Sequence, residues 1–360
     1  MKKKVVVGMS GGVDSSVAAY LLKKEGYDVI GVTMQIWQSE DPCAVEKKGG
    51  CCGVSAVEDA RRVAEHIGIP YYVMNFKREF RRDVIDYFVR EYMDGRTPNP
   101  CIACNRYVKW RSLLQKSLAM GADYIATGHY ATVCHLENGR YTLHRSAGNE
   151  KTSKDQTYAL YNLTQDQLAH TLMPIGKYTK DMTRRIAEEA GLPVAHKPDS
   201  EEICFVPDNN YARFIEEDTG KKFVPGNFVD EDGNVLGQHR GIACYTIGQR
   251  KHLGIALGYP VFVKELRPET NEIVLSRNDA LFGKELVVHD LNFMSYADIE
   301  GEIRVMAKIR YNHLAQPAVV KKIGDDRILC CFDEPVRAIT PGQAAVFYRD
   351  NMIVGGGTIE

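Results

Sequence analysis

"VVVGMSGGVDSSVAAYLL", residues 5–22, is an apolar run that feeds a glycine- and serine-rich turn and then a helical pattern. The three valines read as a buried strand, and glycines 8, 11 and 12 let the backbone that follows approach a ligand closely. Ser10 and Ser15 add hydroxyl donors. A helix opening near Asp14 offers unpaired N–H groups and the positive end of its dipole. Such a turn suits phosphate. A Walker loop would carry a lysine here for the β- and γ-phosphates and a Ser/Thr for magnesium. This turn has Asp14 instead, and a carboxylate there helps to hold Mg2+ together with phosphate oxygens. The pattern fits release of pyrophosphate better than transfer of a γ-phosphoryl group.

Working outward, apolar runs alternate with helical patterns over the first ~200 residues. "YDVIGVTM" (27–34), "YYVMNF" (71–76) and "DYIATG" (123–128) read as strands. "AVEDARRVAEHIG" (56–68), "FRRDVIDYFVREYMDG" (80–95) and a segment ending near Met120 read as helices. Strands alternating with helices predict an α/β fold with a parallel sheet. Ligands of such sheets bind beyond the carboxyl ends of the strands. Gly8 to Ser15, Met34 and Gly128 fall at such ends. From about residue 205 the pattern changes to one helix, "NNYARFIEEDTG", and turn-rich segments. Beyond about 285, short alternating runs such as "EIRVMAKIRY" (302–311) predict a small barrel or sandwich.

The chain has 360 residues, 44% hydrophobic and 26% charged, an ordinary globular composition. No stretch approaches the ~20 apolar residues of a membrane helix. "MKKKVVV" is too short for a signal-peptide core, so a cytoplasmic location is expected. A net charge of −1 means that a nucleic acid would have to meet local basic patches. The candidates are Lys77, Arg78, Arg81 and Arg82; Arg106, Lys109 and Arg111; Gln249, Arg250 and Lys251; and Lys308 with Arg310. Ten cysteines in a cytosolic chain do not imply a disulfide framework, and "LCCF" (329–332) reads as core.

"TPNPCIACN" (97–105) is different. Its prolines stiffen a loop before a Cys-x-x-Cys, whose two sulfurs face one point as for a metal or a redox pair. No second such pair completes a zinc site. Cys204 follows in "HKPDSEEICFV" (196–206), where a core cysteine is the plain reading.

The turn resembles the PP-loop signature of ATP pyrophosphatases, which split ATP between its α and β phosphates. Together with "TPNPCIACN", "ATGHYA" (126–131), "KDQTYAL" (154–160), "DSEEICFV" (199–206), "TIGQRKHLGI" (246–255) and "TPGQAAVFY" (340–348), it closely resembles the bacterial tRNA-specific 2-thiouridylases. The resemblance implies a PP-loop domain over 1–204, a small central α+β domain over 205–282 and a C-terminal β-barrel over 283–360. It implies ATP-dependent replacement of the C2 oxygen of the wobble uridine in tRNA by sulfur. Cys104 and Cys204 would be catalytic, Cys204 carrying persulfide sulfur and the pair ending as a disulfide. Gly8, Met9, Ser10, Gly11, Gly12, Val13, Asp14, Ser15, Met34 and Gly128 would hold ATP with Mg2+. Asn99, Pro100 and Cys101 would face the target base, extruded so that its reactive edge reaches a pocket. His129, Lys154, Asp155, Gln156, Arg310, Tyr311 and Gln343 would contact tRNA. A sulfur donor, either a persulfide-carrying protein or sulfide, is a further partner, and no membrane is involved.

The sequence departs from the family pattern twice. Cys101 stands where the better-known version of the loop has aspartate. Cys101, Cys104 and Cys204 could then ligate a 4Fe-4S cluster with one iron open to sulfide, so the persulfide and cluster routes both stay open. His252 stands where glycine is more usual. Two other functional classes are weighed against thiolation. One is a PP-loop ligase acting on a small molecule, for which the cysteine pair and β domain have no use. The other is a non-catalytic RNA-binding protein, against which the intact Ser10, Asp14 and Ser15 argue.

Overall fold

The computed structural model describes residues 2–36, 54–146, 154–199, 203–206 and 208–360. Cys43, Cys51 and Cys52 lie outside the described residues, as do Ser200, Glu201 and Glu202 of the Cys204 motif.

The valine run forms β1 (Lys4–Gly8), flanked by β2 (Asp28–Gln35) and then β3 (Tyr71–Asn75) on one side. On its other side lies β4 (Tyr124–Ala126). After a hairpin of β5 (Ala131–His135) and β6 (Tyr141–Arg145) comes the short β7 (Thr171–Leu172) beyond β4. The order is β3-β2-β1-β4-β7 and every pair is parallel, as the alternation of strands and helices predicts. Helix α1 (Val13–Lys24) follows β1 and buries Val13, Val17, Ala18, Ala19 and Leu22 against the sheet and α2 (Val54–Ile67). Complete burial of a valine or leucine contributes about 1.5–3 kcal/mol, so this packing fixes where α1 begins.

A second sheet, ordered β10-β11-β8-β9, is built from β8 (Gly226–Val229), β9 (Val235–His239), β10 (Phe262–Arg267) and β11 (Glu272–Ser276) around Phe228, Tyr245 and Val263. The C-terminal strands are β12 (Phe282–Phe293), β13 (Glu302–Lys308), β14 (Gln316–Gly324), β15 (Arg327–Arg337), β16 (Ala344–Arg349) and β17 (Met352–Ile359). They run β12-β15-β14-β13-β16-β17, and β12 pairs with β17 to close a six-stranded barrel. Period-two alternation sends Val305, Ala307, Ala318, Val320, Ile328 and Cys330 inward, while Cys331 of "LCCF" is only half-buried.

The β5–β6 hairpin extends the barrel rather than the parallel sheet. Met352 of β17 registers with His144, and the Thr142 hydroxyl donates to the Ile353 carbonyl at 2.7 Å. Residues from the N-terminal half are therefore sewn into the barrel wall.

His252 adopts φ +61°, the left-handed region that disfavours a side chain. The glycine usual there would sit without strain. His252→Gly is expected to stabilise the fold by up to about 1 kcal/mol, the freer unfolded chain offsetting part of the relief. A higher urea midpoint at unchanged slope would show it, and a lower midpoint would contradict it.

Among the described residues no helix is long and apolar enough to cross a membrane.

Candidate active site at the carboxyl edge of the parallel sheet

The turn after β1 is held from within. Gly11 has φ +69°, and a Cβ there would lie 2.3 Å from the Ala56 carbonyl oxygen at the start of α2. The Ser15 hydroxyl accepts from the Ser10 N–H and donates to the Gly12 carbonyl, both at 3.2 Å. Gly12 caps α1 with no side-chain hydrogen bond, so no side chain competes for the first-turn N–H groups. Met9 and Val13 are core residues, with the Thr33 hydroxyl donating to the Met9 carbonyl at 2.8 Å. Gly8 ends β1, half-buried Met34 lies near the end of β2, and Gly128 follows β4.

The lysine missing from the turn arrives from far along the chain. Lys180, opening the helix Lys180–Glu189, donates to both Asp14 carboxylate oxygens at 2.8 and 2.9 Å, and the Tyr130 hydroxyl donates to Asp14 at 2.7 Å. Lys197 donates to the Gly11 carbonyl at 3.0 Å and to Asp59 at 2.7 Å. Asp199 gathers Lys180 at 2.7 Å, Arg184 at 3.0 Å and Lys154 at 3.6 Å. Burial alone would push the Asp199 carboxyl up, but its bond to Lys180 and the charges of Lys180, Arg184 and Lys154 hold it below the usual carboxylate range. Burial first, and then the Asp14 charge, push the Tyr130 hydroxyl well up, so it stays a neutral donor.

The cysteine loop opens a helix that begins at Pro100. Asn99 caps it, accepting from the Ile102 N–H at 3.2 Å, and proline fits the first helical position. Cys101 is exposed. Cys104, three residues on and so on the same face, is half-buried at the start of a π-helical stretch, Cys104–Leu113. Gln343 holds the loop from the barrel side, donating its amide to the Thr97 carbonyl at 2.9 Å and the Pro98 carbonyl at 3.3 Å. Cys204 is half-buried against the same apolar core as Cys104. Its neighbour Phe205 anchors it, edge-on to Phe80 and Phe88 with ring centroids 5.7 and 5.2 Å away.

Among the described residues no three His, Cys, Asp or Glu side chains are grouped to hold a metal ion. Cys101, Cys104 and Cys204 are among the described residues and form no such group.

Of the residues expected to meet tRNA, Gln343 and Tyr311 lie at this loop, whereas Lys154 pairs with Asp199. Tyr311 is exposed, and partial burial of its hydroxyl with Asp155 and Cys101 nearby pushes that group up. Lys308 lies over the Tyr158 and Tyr311 rings, 5.8 and 5.5 Å from their centroids. Asp155 accepts from the Thr157 hydroxyl at 2.9 Å, and Gln156 accepts from the Tyr130 N–H at 3.0 Å. His129 is half-buried beside Trp110, and burial with the Lys109 charge holds it well below the usual histidine range, hence neutral. Arg310 donates to the carbonyls of Ile247 and Ala338 and to the Thr340 hydroxyl.

The four basic patches divide in two. Arg81 pairs with Asp86 and Asp218, Arg82 and Arg111 share Asp83, and Arg106 pairs with Asp290. These arginines are largely neutralised. Arg250, Lys251 and Arg310 have no carboxylate partner among the described residues.

A family model described as a tRNA methyl transferase HUP domain matches residues 3–208. The chain is 66% identical over 357 residues to the tRNA-specific 2-thiouridylase MnmA of Lachnoclostridium phytofermentans, with 99% of each chain covered. The chain belongs to the tRNA-specific 2-thiouridylase family. Thiouridylases named MnmA from Clostridium perfringens and Clostridioides difficile are 59% and 56% identical, each match covering 100% of this chain and 99% of the other. Models described as a tRNA methyl transferase PRC-barrel domain and an aminomethyltransferase beta-barrel domain match residues 212–277 and 283–359 of this 2-thiouridylase-family chain. Sequence reasoning missed Tyr130, Lys180, Lys197 and Asp199. Tyr130 lies within "ATGHYA" and Lys197 and Asp199 within "HKPDSEEICFV", but nothing local ties them to a turn more than a hundred residues away, and Lys180 falls outside every motif.

Proposed function

We propose that this chain is a cytoplasmic tRNA-uridine 2-sulfurtransferase that adenylates the C2 oxygen of the wobble uridine and replaces it with sulfur. The observation that most supports this reading is the combination of an uncapped PP-loop helix, ringed by Lys180 and Lys197, with two cysteine segments packed on one core.

A uridine C2 carbonyl is a poor electrophile, and its oxygen does not leave. Attack of that oxygen on the α-phosphate of ATP forms the O–P bond and expels pyrophosphate, which the first-turn N–H groups and the lysines receive. Asp14, with phosphate oxygens, would hold Mg2+, which neutralises charge on the leaving group. The terminal sulfur of a Cys204 persulfide then attacks C2 and AMP departs. The Cys104 thiolate attacks the Cys204 sulfur, the S–S bond to the base breaks, and 2-thiouridine leaves a Cys104–Cys204 disulfide. A thiol reductant restores the pair, and a persulfide-carrying protein transfers its outer sulfur to the Cys204 thiolate. Sulfide would instead reload Cys204 by attacking the Cys104–Cys204 disulfide directly, the S–S bond breaking to free the Cys104 thiolate. Asn99, Pro100 and Cys101 would line the pocket for the extruded base, with Tyr311 and Gln343 beside it.

The decisive measurement is 2-thiouridine formed in an unmodified tRNA transcript, with AMP counted alongside. Thiolation that needs ATP supports the reading. ATP–pyrophosphate exchange driven by a small acid without tRNA would overturn it, as would tRNA binding with neither AMP nor thiouridine. Lys180→Met is expected to lower AMP formation about 10- to 100-fold, as removal of one preorganised charge does. Unchanged AMP formation would remove Lys180 from the phosphate site.

A further inference from the structure

Arg310 and Arg337 converge on the loop Thr246–Gln249 with no acidic partner between them. Arg310 donates to the Ile247 carbonyl at 3.0 Å, and Arg337 to the Gly248 carbonyl at 3.3 Å and, through Nε, to Asn278 at 2.9 Å. Both guanidinium groups reach the spot that a Cβ on Gly248 would occupy, at 3.8 and 3.4 Å. The Nε of Arg310 is buried with no hydrogen-bond partner. His313 stands beside them. Burial first, and then the charges of Arg310, Arg337 and Lys308, hold it below the usual histidine range. Burial with the Arg337 charge lowers Arg310 as well.

Like charges this close repel, and burial of an unpaired donor costs free energy. Elsewhere in the chain arginines near one another share carboxylates, as Arg82 and Arg111 share Asp83. Neither Arg310 nor Arg337 has such a partner among the described residues. The positive charge of the pair is therefore left for an anion from outside to balance. Tyr311, adjacent in sequence to Arg310 and near Cys101, places that anion beside the base-facing loop.

We infer that Arg337, with Arg310 and His313, clamps a backbone phosphate of the RNA strand next to the target nucleotide. This rests on the thiolation reading and names Arg337 as a positioning residue of the same site. The planar Arg337 fork suits a phosphodiester oxygen, and Arg310, whose Nη2 is turned to the Ile247 and Ala338 carbonyls and whose Nε is buried, adds its charge from behind. Ion-paired Arg81, Arg82 and Arg106 contribute little to RNA affinity by comparison.

The test is the salt dependence of binding of the full chain to an unmodified tRNA transcript. Arg337→Gln is expected to weaken binding about tenfold and to reduce the slope of log affinity against log salt by about one. Arg337→Lys, which keeps the charge but not the two-point brace, is expected to keep the wild-type slope. A glutamine variant with wild-type affinity and slope overturns the clamp. So do glutamine and lysine variants that lose the slope equally and melt at equally lowered temperature, since Arg337 is then only a brace. If the glutamine variant does not fold, Arg337→Met takes its place and is read by the same slope, a reduction by about one supporting the clamp and an unchanged slope overturning it. A wild-type chain that neither binds nor thiolates tRNA overturns the thiolation reading itself, a result distinct from all of these.

Discussion

Cys204→Ser is expected to form no measurable 2-thiouridine, a loss of at least about a thousandfold, while the fold and AMP formation persist. The substitution exchanges one atom in a half-buried side chain whose neighbour Phe205 is packed edge-on against Phe80 and Phe88. Stability should therefore change by less than about 1 kcal/mol. In the proposed mechanism adenylation would use the PP loop and Lys180, which the substitution leaves alone. An alcohol cannot carry persulfide sulfur, nor is it nucleophilic enough at neutral pH to stand in for a thiolate. The chemistry thus separates into an intact first half and an absent second half. Nucleoside analysis of the tRNA, with AMP counted in the same reaction, reads both. Substantial thiouridine from this variant, with persulfide or sulfide as donor, would sink the assignment.

Gly128→Ala is expected to damage both stability and ATP use. A Cβ at 128 would lie 2.5 Å from the Ser15 nitrogen and 2.6 Å from the Asp14 carbonyl carbon. Those are backbone atoms of the first turn of α1, which cannot swing aside as a flexible side chain would. The helix is itself fixed by completely buried Val17, Ala18 and Ala19. Overpacking of this kind costs about 1–3 kcal/mol. The displaced turn would also lose its N–H alignment, so AMP formation should fall at least about tenfold. Gly8→Ala is the matched control for stability, because a Cβ there meets nothing nearer than 3.8 Å. Equal melting temperatures for the two variants would contradict the close approach of β4 and α1.

The parallel sheet was legible because its strands are continuous apolar runs broken by helical periodicity, and the glycines of the turn name the strand end where a phosphate would dock. The barrel was legible as strands, and its closure by β12 and β17 was not, because pairing partners leave no mark on period-two alternation. "ATVCH" and "YTLHR" already alternate around "ENGR", so a hairpin could have been read there. That it joins the barrel rather than the sheet beside it in sequence depends on contacts with β17. At the site, Asp14 was visible but its partners were not. Lys180 lies 166 residues away in an ordinary amphipathic helix. Basic clusters are the reverse case: sequence shows charges but not their partners. Asp218, Asp83 and Asp290 neutralise arginines that looked like an RNA-facing surface.

The bond from Gln343 to the Thr97 carbonyl spans 246 residues and has a consequence in time. At about 5–20 residues per second, a ribosome needs roughly 12–50 seconds to make that stretch after Thr97 appears. Through that interval the emerging polypeptide has its nucleotide turn but not the amide that holds the cysteine loop in place. Completion of the cysteine loop is thus tied to late translation, and on the proposed mechanism a nascent chain would have no finished pocket in which to commit a uridine.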